Sequence, residues 1–144
     1  MAQKITVSRH IRRPFEECRN FITNAHASLP RLSTLSRCQF IEARHDGELW
    51  DVFLDSGAVQ LGGRVLITPP EADRLRWRSV RGTQHSFESH VAPEDSGTKL
   101  TMTMTYWLTG FGIAWISEMI GRGLADRKLH AIAEEIRHIL EFES

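Results

Sequence analysis

The hydrophobic period of this chain changes once. Up to Leu108 the apolar residues alternate with polar ones in short runs broken by turn residues; after Gly110 and Gly112 they recur at helical spacing as far as Glu141, with no proline. A series of half-buried strands followed by one helix of about thirty residues implies an antiparallel sheet that buries one face against that helix.

The strands can be read individually. Ile5, Val7 and Ile11 alternate with Thr6, Ser8 and His10 until Arg12-Arg13-Pro14 ends the run. Pro14 followed by Glu16 and Glu17 starts a helix well, because proline fits the first turn and carboxylates suit the positive end of the helix dipole. Phe15, Cys18, Phe21 and Ile22 then share one side of it, which makes Cys18 a core residue. Pro30 and the small residues around Leu29, Leu32 and Leu35 read as a short second helix between loops. Cys38 to Arg44 and Leu49 to Leu54 flank His45-Asp46-Gly47 and form a hairpin. Val59 to Ile67 is a strand interrupted by Gly62-Gly63, the sign of a bulge or bend that curls a sheet. Arg74 to Val80, Phe87 to Val91 and Lys99 to Leu108 complete the set. The last is the cleanest: Leu100, Met102, Met104, Tyr106 and Leu108 on one face, Thr101, Thr103 and Thr105 on the other. In the terminal helix Leu129, Ile132, Ile136, Ile139 and Leu140 form an apolar stripe, with His130, Glu134 and His138 nearly opposite, on a face expected to be solvated.

Length and charge narrow the function. The 144 residues suit one domain spanning positions 1–144, and eighteen basic residues balance eighteen acidic ones, so nothing favours nucleic acid or an anionic membrane as partner. Arg74, Arg76, Arg78 and Arg81 are read as the wet face of a strand. Cys18 and Cys38 have neither the spacing of a metal site nor that of a disulfide scaffold, and residues 1–9 lack the apolar run of a signal peptide. Residues 106–115, the most apolar stretch, fall short of the roughly 20 residues of a membrane span. A cytoplasmic protein without stable membrane insertion is expected; monomer and homodimer both stay open.

The element order, one strand, two helices, six strands and a long closing helix, resembles the START-like (SRPBCC) superfamily. "ITVSRHIRRPFEECRNFI" is similar to that superfamily's first strand and first helix, and "RLRWRSVRG" with "GTKLTMTMTYWL" resembles paired strands of its polyketide cyclase/dehydrase-like branch. The resemblance implies an α+β helix-grip fold of the START/Bet v 1 type, with about seven antiparallel strands curved around the C-terminal helix. It also implies a deep cavity for lipids, polyketides or similar apolar molecules. It carries no catalytic signature, and fold transfers more safely than function.

The candidate site is therefore an apolar wall: Trp77, Met102, Met104 and Tyr106 from the strands, facing Trp115, Ile116 and Met119 from the helix. His85 is the first polar residue to consider for proton transfer, provided it shares the inward face with Phe87; Asp51 and Arg78 are weaker candidates. His130, Glu134 and His138 span about 12 Å along a helix, too far to hold one ion together, and His85 and His90 point to opposite faces of a strand. No metal is expected. No nucleotide, hydrolase or metalloprotease motif is present, and no cofactor is called for. Three functions stay in play: binding of an apolar small molecule, a cyclase or dehydratase acting in the same cavity, and a non-catalytic interaction module displaying residues 106–115.

Overall fold

A computed structural model describes residues 2–54, 61–107 and 123–143. The order is β1 (Ala2–Ile11), α1 (Phe15–Ile22), α2 (Ala25–Ser28), a 3-10 turn (Leu29–Arg31), β2 (Leu35–Arg44), β3 (Gly47–Leu54), β4 (Leu61–Ile67), β5 (Arg74–Gly82), β6 (His85–Glu94), β7 (Gly97–Trp107) and α3 (Leu124–Phe142). The strands form one sheet ordered β1-β7-β6-β5-β4-β3-β2. Every pairing is antiparallel.

Local chemistry sets the ends of these elements. Pro14 precedes α1, whose first turn carries Glu16 and Glu17 and whose inner side buries Cys18 and Ile22. Asn24 caps α2 by accepting a hydrogen bond from the Ala27 amide at 3.2 Å. Cys18 is fully buried, and that burial pushes its pKa up, as suits a core residue.

The expected bend lies at the glycines. The β4–β5 register slips between Arg64 and Val65. Gly62 has φ +131° and Gly82 φ +95°; a Cβ on the first would stand 2.2 Å from the Val52 carbonyl oxygen, and on the second 2.4 Å from that of Gly62. Side chains are excluded there by backbone, so the strands cross closely and the sheet curls.

Leu129, Ile132, Ile136, Ile139 and Leu140 of α3 are all buried in the core. On the opposite face Arg9 of β1 donates from Nε to Glu134 Oε1 at 2.7 Å and from Nη2 to His130 Nδ1 at 2.9 Å, while the His130 and Glu134 side chains stay nearly half exposed, at 44% and 46%, and His138 is exposed, so the face is largely solvated as expected and also touches the sheet edge. On the other side Glu135 accepts from the amides and hydroxyls of Ser33 and Thr34, at 2.6 to 3.1 Å, in the segment leading to β2. Adjacent carboxylates thus tie the helix to both edges of the sheet. The part of the expected helix that precedes residue 123 lies outside the described residues. No helix among the described residues is long and apolar enough to cross a membrane.

Candidate functional site

The inward faces of β5, β6 and β7 are set by register. Trp77 pairs with Phe87, Phe87 with Met104, and His85 with Tyr106, so one parity across three strands presents Trp77, Phe87, His85, Met104 and Tyr106 on the same side. Trp77 and Phe87 stack with ring centroids 4.3 Å apart. The opposing wall comes from Ile22 of α1, Leu29 and Leu32 around the 3-10 turn, and Ile132 and Ile136 of α3. Between the two walls lies an open space of about 80 Å³.

Of the residues picked out from the sequence, Trp77, His85, Met102, Met104 and Tyr106 border this cavity. Trp115, Ile116 and Met119, expected on the facing wall, lie outside the described residues. Leu29, Leu32, Ile132 and Ile136 hold the described part of that wall. Their signal was present as apolar spacing, which marks a residue as buried without saying whether it meets a neighbour or a void.

No Asp, Glu, Lys or Arg borders the cavity among the described residues. Asp51 and Arg78, the weaker acid–base candidates, are not in it. Asp51 takes a two-pronged contact from Arg64 at 2.9 and 3.3 Å, which holds its carboxyl below the usual range, and Arg78 is exposed. Both occupy the strand parity opposite to that of Val52 and Trp77. Nor do three His, Cys, Asp or Glu side chains converge as metal ligands among the described residues.

His85 does share the inward face with Phe87; the two are 7% and 5% exposed. Its ring is fully engaged. Trp77 Nε1, which can only donate, gives its hydrogen to His85 Nε2 at 3.1 Å, so the proton of the neutral ring sits on Nδ1 and is donated to the Thr83 carbonyl at 2.7 Å. Burial pushes the pKa of His85 down and outweighs the Thr83 carbonyl, which pulls it up. The imidazole is thus a neutral brace for Trp77, with no lone pair left for a substrate proton.

Two buried hydroxyl residues accompany it. Tyr106 is 6% exposed and Ser89 4%, and both border the cavity. Burial, and then the charge of Asp126, push the Tyr106 pKa up, so the phenol stays protonated and can donate.

Known structures match this architecture over nearly its whole length. TTHA0849 from Thermus thermophilus superposes with a TM-score of 0.82 at 14% identity, covering 99% of each chain. The Zhui aromatase/cyclase from Streptomyces sp. R1128 gives 0.82 at 11% identity over 98% of this chain and 94% of its own. The chain has the helix-grip fold. Ginseng major latex-like protein 151 from Panax ginseng shares this helix-grip architecture with a TM-score of 0.67 at 13% identity, over 94% of this chain and 95% of its own. No family model and no curated protein matches the sequence. At these identities the likeness concerns the helix-grip fold itself.

Proposed function

We propose that this chain binds one mostly apolar small molecule, of lipid, polyketide or similar character, between the inner sheet face and α3. The observation that carries the reading is the lining: large apolar side chains from strands and helices surround a space that charged groups do not border among the described residues. Trp77, His85, Met102, Met104 and Tyr106 are the proposed contacts, together with Trp115, Ile116 and Met119. An engineered apolar cavity of about 150 Å³ takes up benzene, and the space here is about 80 Å³. A larger ligand therefore has to push aside Met104, which is half-buried, unbranched and easily repacked.

Binding is favoured over a cyclase or dehydratase role by the state of His85. Both its ring nitrogens are occupied, and the other ionisable group on the described lining, Tyr106, is held protonated. Neither is set up to abstract a proton at neutral pH.

Titration with N-phenyl-1-naphthylamine, an uncharged apolar fluorophore, tests the reading. Saturable enhancement of its emission, weakened at least tenfold when Met104→Trp fills the space, is the expected result. Enhancement that neither saturates nor responds to Met104→Trp would overturn it.

A further inference from the structure

The walls of the cavity are not held with equal firmness. Its strands carry ladder hydrogen bonds to their neighbours, and α1 and α3 dock as helices on buried apolar faces. Residues 29–34, which join α2 to β2, are different. Leu29 and Leu32 border the cavity and are buried, yet the backbone bonds here are local, as from the Leu32 N–H to the Leu29 carbonyl and from the Leu35 N–H to that of Leu32. Apolar burial has no direction, so it does not fix the position of the two leucines by itself. The directional hold comes from Glu135 of α3, which stands in sequence between the wall residues Ile132 and Ile136. Its Oε2 accepts from the Ser33 amide at 2.7 Å and hydroxyl at 2.6 Å, and its Oε1 accepts from the Thr34 amide at 3.1 Å and hydroxyl at 3.0 Å. Among the described residues, no other hydrogen bond ties residues 29–34 to a neighbouring element. Arg31 adds two contacts, 3.6 Å to Glu143 and 5.7 Å to the centre of the Phe21 ring, but it is exposed, and such contacts are weak.

We propose that residues 29–34 form a flap through which the ligand reaches the cavity, and that Glu135 is the latch that holds it shut. This rests on the cavity being the binding site and adds how it is entered. Opening breaks four hydrogen bonds at one carboxylate and lifts Leu29 and Leu32 from the wall, while the sheet ladders and the buried stripe of α3 stay intact. The latch is charged at neutral pH: burial pushes the Glu135 pKa up, but the hydrogen bonds from Ser33 and Thr34 together outweigh it and leave the carboxyl below its usual range.

Stopped-flow mixing with N-phenyl-1-naphthylamine, set beside its equilibrium titration, tests this. A latch governs passage in both directions, so Glu135→Gln should speed association and dissociation by the same factor, about tenfold for the loss of charge-assisted bonds, and leave Kd unchanged. Ser33→Ala combined with Thr34→Val removes two hydroxyl donors and keeps both amides and the carboxylate. It should speed both rates about fivefold, and it decides the matter if Glu135→Gln does not fold. Hydrogen exchange at the Ser33 and Thr34 amides should quicken in Glu135→Gln, while exchange in β6 and β7 stays slow. Glu134→Gln makes the same charge change one residue away, on the tie to Arg9 of β1, and should leave both rates as they were. Unchanged rates in Glu135→Gln with binding intact would overturn the latch while leaving apolar binding in place. So would faster dissociation alone with a weakened Kd, or an equal acceleration in Glu134→Gln. If the fluorophore does not bind at all, the proposed function falls, and this inference with it.

Discussion

Strands β5, β6 and β7 carry two surfaces built on opposite rules. Inward lie Trp77, Phe87, Met102 and Met104, with the single braced imidazole of His85. Outward, Arg74 contacts Glu88 at 2.8 Å, Asp73 at 3.2 Å and Glu71 at 3.3 Å, and Asp73 in turn contacts His90 at 3.0 Å. Partners on the outer face are numerous and interchangeable, and water competes for each of them. On the inner face the imidazole of His85 has just the Trp77 indole and the Thr83 carbonyl on its ring nitrogens, and the loss of one is not readily made good by solvent.

This contrast can be broken experimentally, starting from its strongest element. Trp77→Ala removes the largest side chain of the inner wall together with its stack on Phe87, and should cost about 3–5 kcal/mol in chemical denaturation. His85→Leu leaves the Trp77 indole N–H buried without an acceptor, at a cost of about 1–3 kcal/mol. Protonation of the same ring does what the mutation does, since an imidazolium would set two donors against each other. Because the pKa of His85 is depressed in the fold, the unfolded chain binds the proton more readily. Stability should therefore hold above about pH 6.5 and decline as pH falls from there toward the folded-state value. His85→Gln should flatten that window in denaturation curves recorded between about pH 7.5 and 5. At the small end, Glu88→Gln on the outer face should change stability by less than about 1 kcal/mol, and added salt should erase most of the difference. A cost for Glu88→Gln equal to that of His85→Leu would show that the two surfaces are not distinct after all.

The same contrast explains what could be read from the sequence. Alternation fixes which residues of a strand turn inward, so the β7 face of Leu100, Met102, Met104 and Tyr106, the Gly62-Gly63 bend and the buried stripe of α3 were all legible. What could not be read was how inward residues are shared between core and cavity. Leu29, Leu32, Ile132 and Ile136 were recognisable as apolar and periodic, yet their place on the cavity wall depends on how α1, α2 and α3 settle over the curled sheet. Polar partnerships were equally hidden. Nothing in one-dimensional spacing joins Arg9 to Glu134, or Trp77 to His85 across two strands; the first gives a largely solvated helix face a contact with the sheet edge, the second turns a candidate base into a brace. Asp51, one of the weaker acid–base candidates, has the parity of the other side of the sheet, where it meets Arg64.

The sheet order has a consequence in time. Five of its six pairings join strands consecutive in the chain, but β1 waits for β7: Ile11 pairs with Thr98 and Ala2 with Trp107, about a hundred residues on. At a synthesis rate of about 5–20 residues per second, the first strand made spends on the order of 5–20 seconds without the neighbour that completes its hydrogen bonds. Closing so long a loop is the entropically dearest contact in the molecule. The docking of β1, which also brings Arg9 to α3, is thus the late event on which assembly turns, and a nascent chain stalled before β7 would display β1 as an unpaired edge.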